Sequence, residues 1–239
     1  MFKYIVFISL FINSVILTAQ NANEPVVVFE LFTSQGCSSC PPADRLLEEI
    51  KTKHANENVF VLSFHVDYWN RLGWRDPFSA ASYSSYQSSY ANQFNSRNVY
   101  TPQLVANGSE HYTGSDYTKV KQSLSKYGKI NSTSTIDVNN IQKNSGNITF
   151  DYKVSGNDVS HTSFALVLAE RITKVSRGEN SNRTLENHNI VANFSIEKNK
   201  SGSVSMTIPK WIKSTDNISL ISYTKNDSYQ VNGANSFSL

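Results

Sequence analysis

Two short, nearly continuous apolar runs, residues 26–32 and 59–66, frame the first part of the chain. Runs of this length predict strands buried on both faces. Glu30 is the one charged residue inside the first run. Between the runs, residues 43–50 read as a helix that continues to about Lys53. Pro41 and Pro42 fit its first turn, where no intrahelical N–H bond is lost. Strand, helix and strand in that order imply a right-handed crossover and a parallel pair. Residues 78–94 place Tyr83, Tyr86 and Tyr90 at helical spacing, which predicts one helix or two short ones packing an aromatic stripe into the core. Residues 99–108 read as a turn entering a short strand and ending in an Asn107-Gly108 hairpin turn, with Pro102 at the strand entrance. Residues 111–114 predict the returning strand. Residues 116–127 predict an amphipathic helix with Val120 and Leu124 inward and Asp116 near the N-cap.

The pattern changes near Ile130. Short alternating segments recur at 133–138, 147–154, 162–170, 203–208 and 218–223, separated by turns rich in Asn, Gly, Ser and Asp. That predicts a small antiparallel sandwich. At the other end, Lys3 precedes an apolar run over 4–17, interrupted by Ser9, Asn13 and Ser14, and Thr18-Ala19-Gln20 offers a small-residue exit. This predicts a cleaved signal peptide over 1–19, too short for a spanning anchor, and export to a periplasm or the exterior. The expected organisation is therefore a signal peptide (1–19), an α/β domain (24–129) and a β-rich, sandwich-like domain (130–239).

Charge narrows the partners. The net charge of +3 over 239 residues is small, and the basic residues are dispersed. Neither nucleic acid nor an anionic membrane is implied as a partner. Cys37 and Cys40 are the only cysteines, so any intramolecular disulfide joins them. They form a Cys-Ser-Ser-Cys motif between the first strand and the first helix. A thiol at a helix N-terminus is stabilised as thiolate by the helix dipole and unpaired N–H groups. Two cysteines in an exported chain fit an oxidising compartment. A structural staple is one alternative, although so short a ring stabilises by roughly 2 kcal/mol against about 4.7 for a 100-residue loop. Zinc is another, but no second Cys-x-x-Cys or His-x-x-x-His pair is present to complete four ligands.

These residues resemble known proteins at two levels. The order of strand, Cys-x-x-Cys at a helix start, strand, then proline before a strand resembles the thioredoxin fold. More narrowly, the run from Glu30 to Asp44, ELFTSQGCSSCPPAD, resembles the DUF1223 family of secreted bacterial proteins with a thioredoxin-like fold and no settled function. So do Phe64-His65-Val66-Asp67-Tyr68-Trp69, the run LGWRDPF from Leu72 to Phe78, and Tyr100-Thr101-Pro102-Gln103. Gly178-Glu179-Asn180 with Arg183, Leu185 and Asn189 extends the likeness into the second half. The chain departs from well-studied thioredoxins in having no Trp before Cys37, Ser-Ser between the thiols and Pro41 after the second cysteine.

The resemblance implies a thioredoxin-like α/β domain followed by the β-rich domain, and thiol–disulfide exchange on a protein or peptide with an external redox partner. No cofactor beyond the dithiol is implied. Cys37 would be the attacking, more exposed thiol and Cys40 the buried resolving thiol. Glu30 would be a buried acid beside Cys40 that handles its proton; its plainer reading is a strand-edge Glu paired with an Arg. Pro102 would be a cis proline facing the disulfide, with Thr101 offering its backbone to an extended substrate. Trp69, Trp74 and Arg75 either line a substrate groove or pack within their loop. His65 with Asp67 either tunes the thiolate or, with Cys37 and Cys40, binds copper; a satisfied core histidine is the plainer reading. Glu179 and Arg183 are expected to pair at the interface between the halves, near the 65–77 loop. The other function classes left open are a non-catalytic binding module and a copper-binding or delivery protein.

Overall fold

In the computed structural model, which describes residues 24–144 and 146–239, the first apolar run becomes β1 (Val27–Thr33), every residue of which is buried. The segment read as a signal peptide lies outside the described residues. No helix among the described residues is long and apolar enough to cross a membrane. The next elements are α1 (Pro41–Lys53), β2 (Val59–His65), α2 (Ala81–Gln93), β3 (Gln103–Ala106), β4 (Glu110–Thr113) and α3 (Tyr117–Tyr127). They are followed by β5 (Thr135–Lys143), β6 (Asn147–Ser155), β7 (His161–Lys174), β8 (Thr184–Glu197), β9 (Ser201–Thr207), β10 (Ile218–Lys225) and β11 (Val231–Ser238). β1 and β2 run parallel, as the crossover requires. Asp116 caps α3 by accepting from Lys119 N–H at 3.0 Å.

The expected architecture of a thioredoxin-like α/β domain plus a separate sandwich is overturned by the sheet. One mixed eight-stranded sheet runs β11-β10-β7-β8-β2-β1-β3-β4 and draws four strands from each side of residue 130; only β5-β6-β9 form a separate sheet. The two halves join where Ser63 of β2 pairs in parallel with Ile190 of β8. The protein is thus mainly β, with its helices laid on a common sheet. Left alone, β2 would be an open edge strand, and β8 covers that edge.

Side-chain alternation explains the three core clusters. Val27, Phe29 and Leu31 of β1 face α1 and α3, where they meet Leu47, Ile50 and Val120. Val28 and Phe32 point to the opposite face, into the tyrosine stripe of α2 with Leu62, Phe64 and Val191. β7 is apolar on both sides: Ala165 and Val167 join the α2 core, whereas Phe164, Leu166 and Leu168 meet Ile136, Ile148 and Phe150 of the small sheet. Burying an apolar side chain contributes about 1.5–3 kcal/mol, so strands buried on both faces hold the middle of the sheet together.

Candidate functional site

Gly36 brings the chain out of β1 into the Cys-Ser-Ser-Cys turn. A Cβ on Gly36 would stand 3.0 Å from Trp69 Cβ, so a larger residue would push the Trp69 loop back by a few tenths of an ångström. Cys37 and Cys40 are joined by a disulfide, with their Cα atoms 5.5 Å apart. Cys40 is the N-cap of α1, whose first positions are Pro41 and Pro42; the N–H groups of Ala43 and Asp44 donate to its carbonyl at 2.9 and 3.2 Å. Cys37 was expected to be the exposed sulfur, and this is corrected: both cysteines are 0% exposed. Only Ser38 and Ser39 between them reach solvent.

The turn between β7 and β8, residues 175–183, is hydrogen-bonded to the backbone of the Cys37 turn. Asn180 Nδ2 donates to the carbonyls of both Gln35 and Cys37 at 2.9 Å, and Glu179 Oε2 accepts from Ser38 N–H at 2.9 Å. That bond holds the Glu179 carboxyl below its usual range. Gly178 lies against Trp74. The Gly178–Asn180 stretch therefore does meet the Cys37 turn and the 65–77 loop, but as a strap. The expected Glu179–Arg183 ion pair is not made; Arg183 instead donates to Asn180 Oδ1 at 2.8 Å.

On the α1 face of the sheet lies a buried ionisable set. His65 Nδ1 is 2.7 Å from Asp76 Oδ2, and both side chains are fully buried. Asp76 also accepts from the N–H groups of Gln35 and Phe78, at 2.8 and 3.0 Å. Burial opposes its charge, but His65 and these bonds hold the Asp76 carboxyl below the usual range. Burial likewise opposes an imidazolium at His65, yet Asp76 and Asp44 bring His65 net above its usual value. Asp44, one helical turn after Cys40, accepts from Thr33 Oγ1 at 3.2 Å. Burial raises its carboxyl to about 6, against the opposing pull of His65. Asp44 Oδ1 and His65 Nε2 are buried with no hydrogen-bond partner.

The remaining expected site residues are divided between this centre and the opposite face. Thr101–Pro102 is a cis peptide. Trp69 Nε1–H donates to Thr101 Oγ1 at 2.8 Å, and Trp74 Nε1–H donates to Gln35 Oε1 at 3.1 Å, so both indoles brace the turns around the disulfide. Asp67 is not the partner of His65; it binds Ser84 of α2. Glu30 is buried, but its side chain lies on the α2 face, away from α1. It pairs with Lys225 Nζ at 3.1 Å and accepts from Tyr86 and Tyr223 hydroxyls at 2.6 and 2.7 Å, and from Tyr90. The expected place beside Cys40 is therefore corrected: successive residues of a strand face opposite sides of the sheet, and position 30 falls on the side away from α1. Among the described residues, the His, Cys and carboxylate atoms that cluster closely enough for a metal belong to Glu170, Glu186 and His188, not to Cys37, Cys40 and His65. Gln35, Asp44, Asp76 and Asn180 lie within the family-like stretches but carried no assigned role; helical spacing from Cys40 was the signal available for Asp44.

Comparison with known proteins bears on the family and the fold. The model of the family described as "Protein of unknown function (DUF1223)" matches residues 28–223. The crystal structure of protein AGR_C_4864 from Agrobacterium tumefaciens is 27% identical, with a TM-score of 0.64, over 92% of this chain and 96% of that one. A beta-glucosidase from Kluyveromyces marxianus is 11% identical over 45% of this chain and 14% of its own, with a TM-score of 0.21. No curated protein matches the chain.

Proposed function

The chain belongs to the DUF1223 family, and we propose that its Cys37–Cys40 disulfide is a redox couple exchanging with thiols or disulfides of a protein or peptide. One observation carries this reading. Cys40 is the N-cap of α1 and stands one helical turn before Asp44, a buried carboxyl raised to about 6 that interacts electrostatically with the buried His65–Asp76 pair. A disulfide that only staples a turn has no use for buried titratable groups, which oppose burial and gather at reactive centres. Exchange requires the 175–183 strap to move off Cys37, because an incoming sulfur must reach it in line with the S–S bond. The reading includes export, which rests on the sequence of residues 1–19, and needs no cofactor beyond the dithiol.

The burial of Cys37 favours a second reading, in which the disulfide is an inert clamp within a binding module. Trapping separates the two. Incubated with a disulfide-containing peptide, reduced Cys40→Ser is expected to accumulate a covalent adduct on Cys37, seen by mass under non-reducing conditions. Cys37→Ser is expected to accumulate none. If Cys40→Ser forms no adduct over hours at neutral pH, the clamp reading stands and exchange is abandoned.

A further inference from the structure

Two buried polar atoms without partners, Asp44 Oδ1 and His65 Nε2, belong to side chains on the same face of the sheet under the first turn of α1. Leaving such an atom unpaired costs about 1–3 kcal/mol, so a site that keeps two of them requires an explanation. Asp44 stands four residues after Cys40, and residues at that spacing share one side of a helix. The other carboxylate oxygen is fixed by Thr33 Oγ1 of β1. His65 is fixed at its Nδ1 by Asp76, which is itself held by the N–H of Gln35, two residues before Cys37. Asp44 and His65 share no hydrogen bond and act on each other through their charges.

On the exchange reading above, we propose that Asp44 accepts the proton that Cys40 gives up when it closes the disulfide, with His65 and Asp76 as positioning residues that keep the carboxylate available. In that step the substrate is already joined to Cys37 as a mixed disulfide. The Cys40 S–H proton passes to the Asp44 carboxylate. The Cys40 sulfur attacks the Cys37 sulfur, the Cys37–Cys40 bond forms, and the bond from Cys37 to the substrate sulfur breaks. The substrate leaves as a thiolate and takes its proton from water. Two protein thiols are oxidised and one substrate disulfide is reduced. The ionisable groups around Asp44 are His65 of β2, Asp76 of the following loop and His188 of β8; Glu48 and Lys51 lie further along α1 itself. Burial opposes the carboxylate, and the His65 side chain counters this, so the carboxyl is ionised at neutral pH yet still basic enough to take a thiol proton.

Ellman's reagent, an aromatic disulfide, tests this on the reduced full-length protein. It releases one thiolate when Cys37 attacks and a second when Cys40 resolves. The second phase is expected to accelerate through an inflection near pH 6. Asp44→Asn should slow that phase about a hundredfold at pH 7, abolish the inflection and leave the first phase unchanged. Asp44→Glu should restore part of the rate, a rescue that a packing role would not give. His65→Gln should move the inflection to higher pH. Equal second phases in wild type and Asp44→Asn, or equal slowing of both phases, overturn the role of Asp44 alone. Absence of a first phase in the wild type overturns the exchange reading and this role with it.

Discussion

Lys225 Nζ lies 3.1 Å from Glu30 Oε2 with both side chains fully buried, which ties the last strands of the chain to the first. Lys225 also donates to Tyr86 and Tyr90 hydroxyls and stands 4.6–6.0 Å from the ring centroids of Tyr86, Tyr90, Tyr223 and Tyr229. Desolvation of an ion pair offsets much of its attraction, but removing one partner leaves the other charge uncompensated, at a cost of about 3–5 kcal/mol. Lys225→Met is expected to lose that much in urea unfolding. The Glu30→Gln/Lys225→Met double variant should recover part of the loss. A Lys225→Met cost within ±0.5 kcal/mol would show that Glu30 is not charged in the native protein.

The shared sheet predicts that residues 24–129 do not fold alone. Without β8 the outer edge of β2 is bare, without Lys225 the Glu30 carboxylate is buried unpaired, and without Asn180 two motif carbonyls lose their donor. That fragment is expected to show no cooperative thermal transition. A sharp transition like that of the whole chain would restore the picture of two tethered units.

Much of the first half was legible because periodicity and burial coincide there. The β1–α1–β2 order, the Asn107-Gly108 hairpin and the Asp116 cap follow from local signals. β8 and β11 were not recognised, and the reason is physical. β8 buries Asn187 and Asn189 against Gln35 and Glu48, has a bulge between Leu166 and Val167 of its partner β7, and carries Asn189 at φ 53°. β11 is mostly Asn, Ser, Gly and Ala, with Val231 and Phe237 its only large apolar residues. Neither shows a clean apolar alternation, since the partners of those polar residues are remote in sequence. The same remoteness hid the centre's true contacts: Asp76 is 11 residues from His65, and Asn180 is 143 from Cys37.

The strap should control access to the disulfide. Each Asn180 bond contributes about 0.5–1.5 kcal/mol. Asn180→Ala is expected to speed reduction of Cys37–Cys40 by dithiothreitol roughly tenfold, a factor worth about 1.4 kcal/mol. Stopped-flow fluorescence or timed thiol capture reads the rate. An unchanged rate would mean that the 175–183 turn does not limit entry.

Asp44 should leave a signature in stability as well. Its carboxyl is raised from 3.8 to about 6 in the folded protein. The native state therefore keeps a proton that the unfolded chain releases between about pH 4 and 6, and stability falls across that window as pH rises. Two units correspond to about 3 kcal/mol. Asp44→Asn cannot ionise, so its stability relative to wild type should rise by up to about that amount from pH 4 to pH 7. Asp76, held low, contributes stability that is lost as pH falls; His65, held high, contributes stability that is lost as pH rises. Both groups are present in each protein, and only the part of the His65 shift that comes from Asp44 is lost with it. A difference that is flat with pH would mean an ordinary Asp44.

The midpoint potential of the Cys37/Cys40 couple at pH 7, measured by equilibration with glutathione or dithiothreitol, tests the redox account most directly. A working exchange centre is expected to lie between about −120 and −270 mV, the span of known exchange proteins. A potential below about −300 mV would mark a bridge that exchange partners cannot open, and would contradict the account.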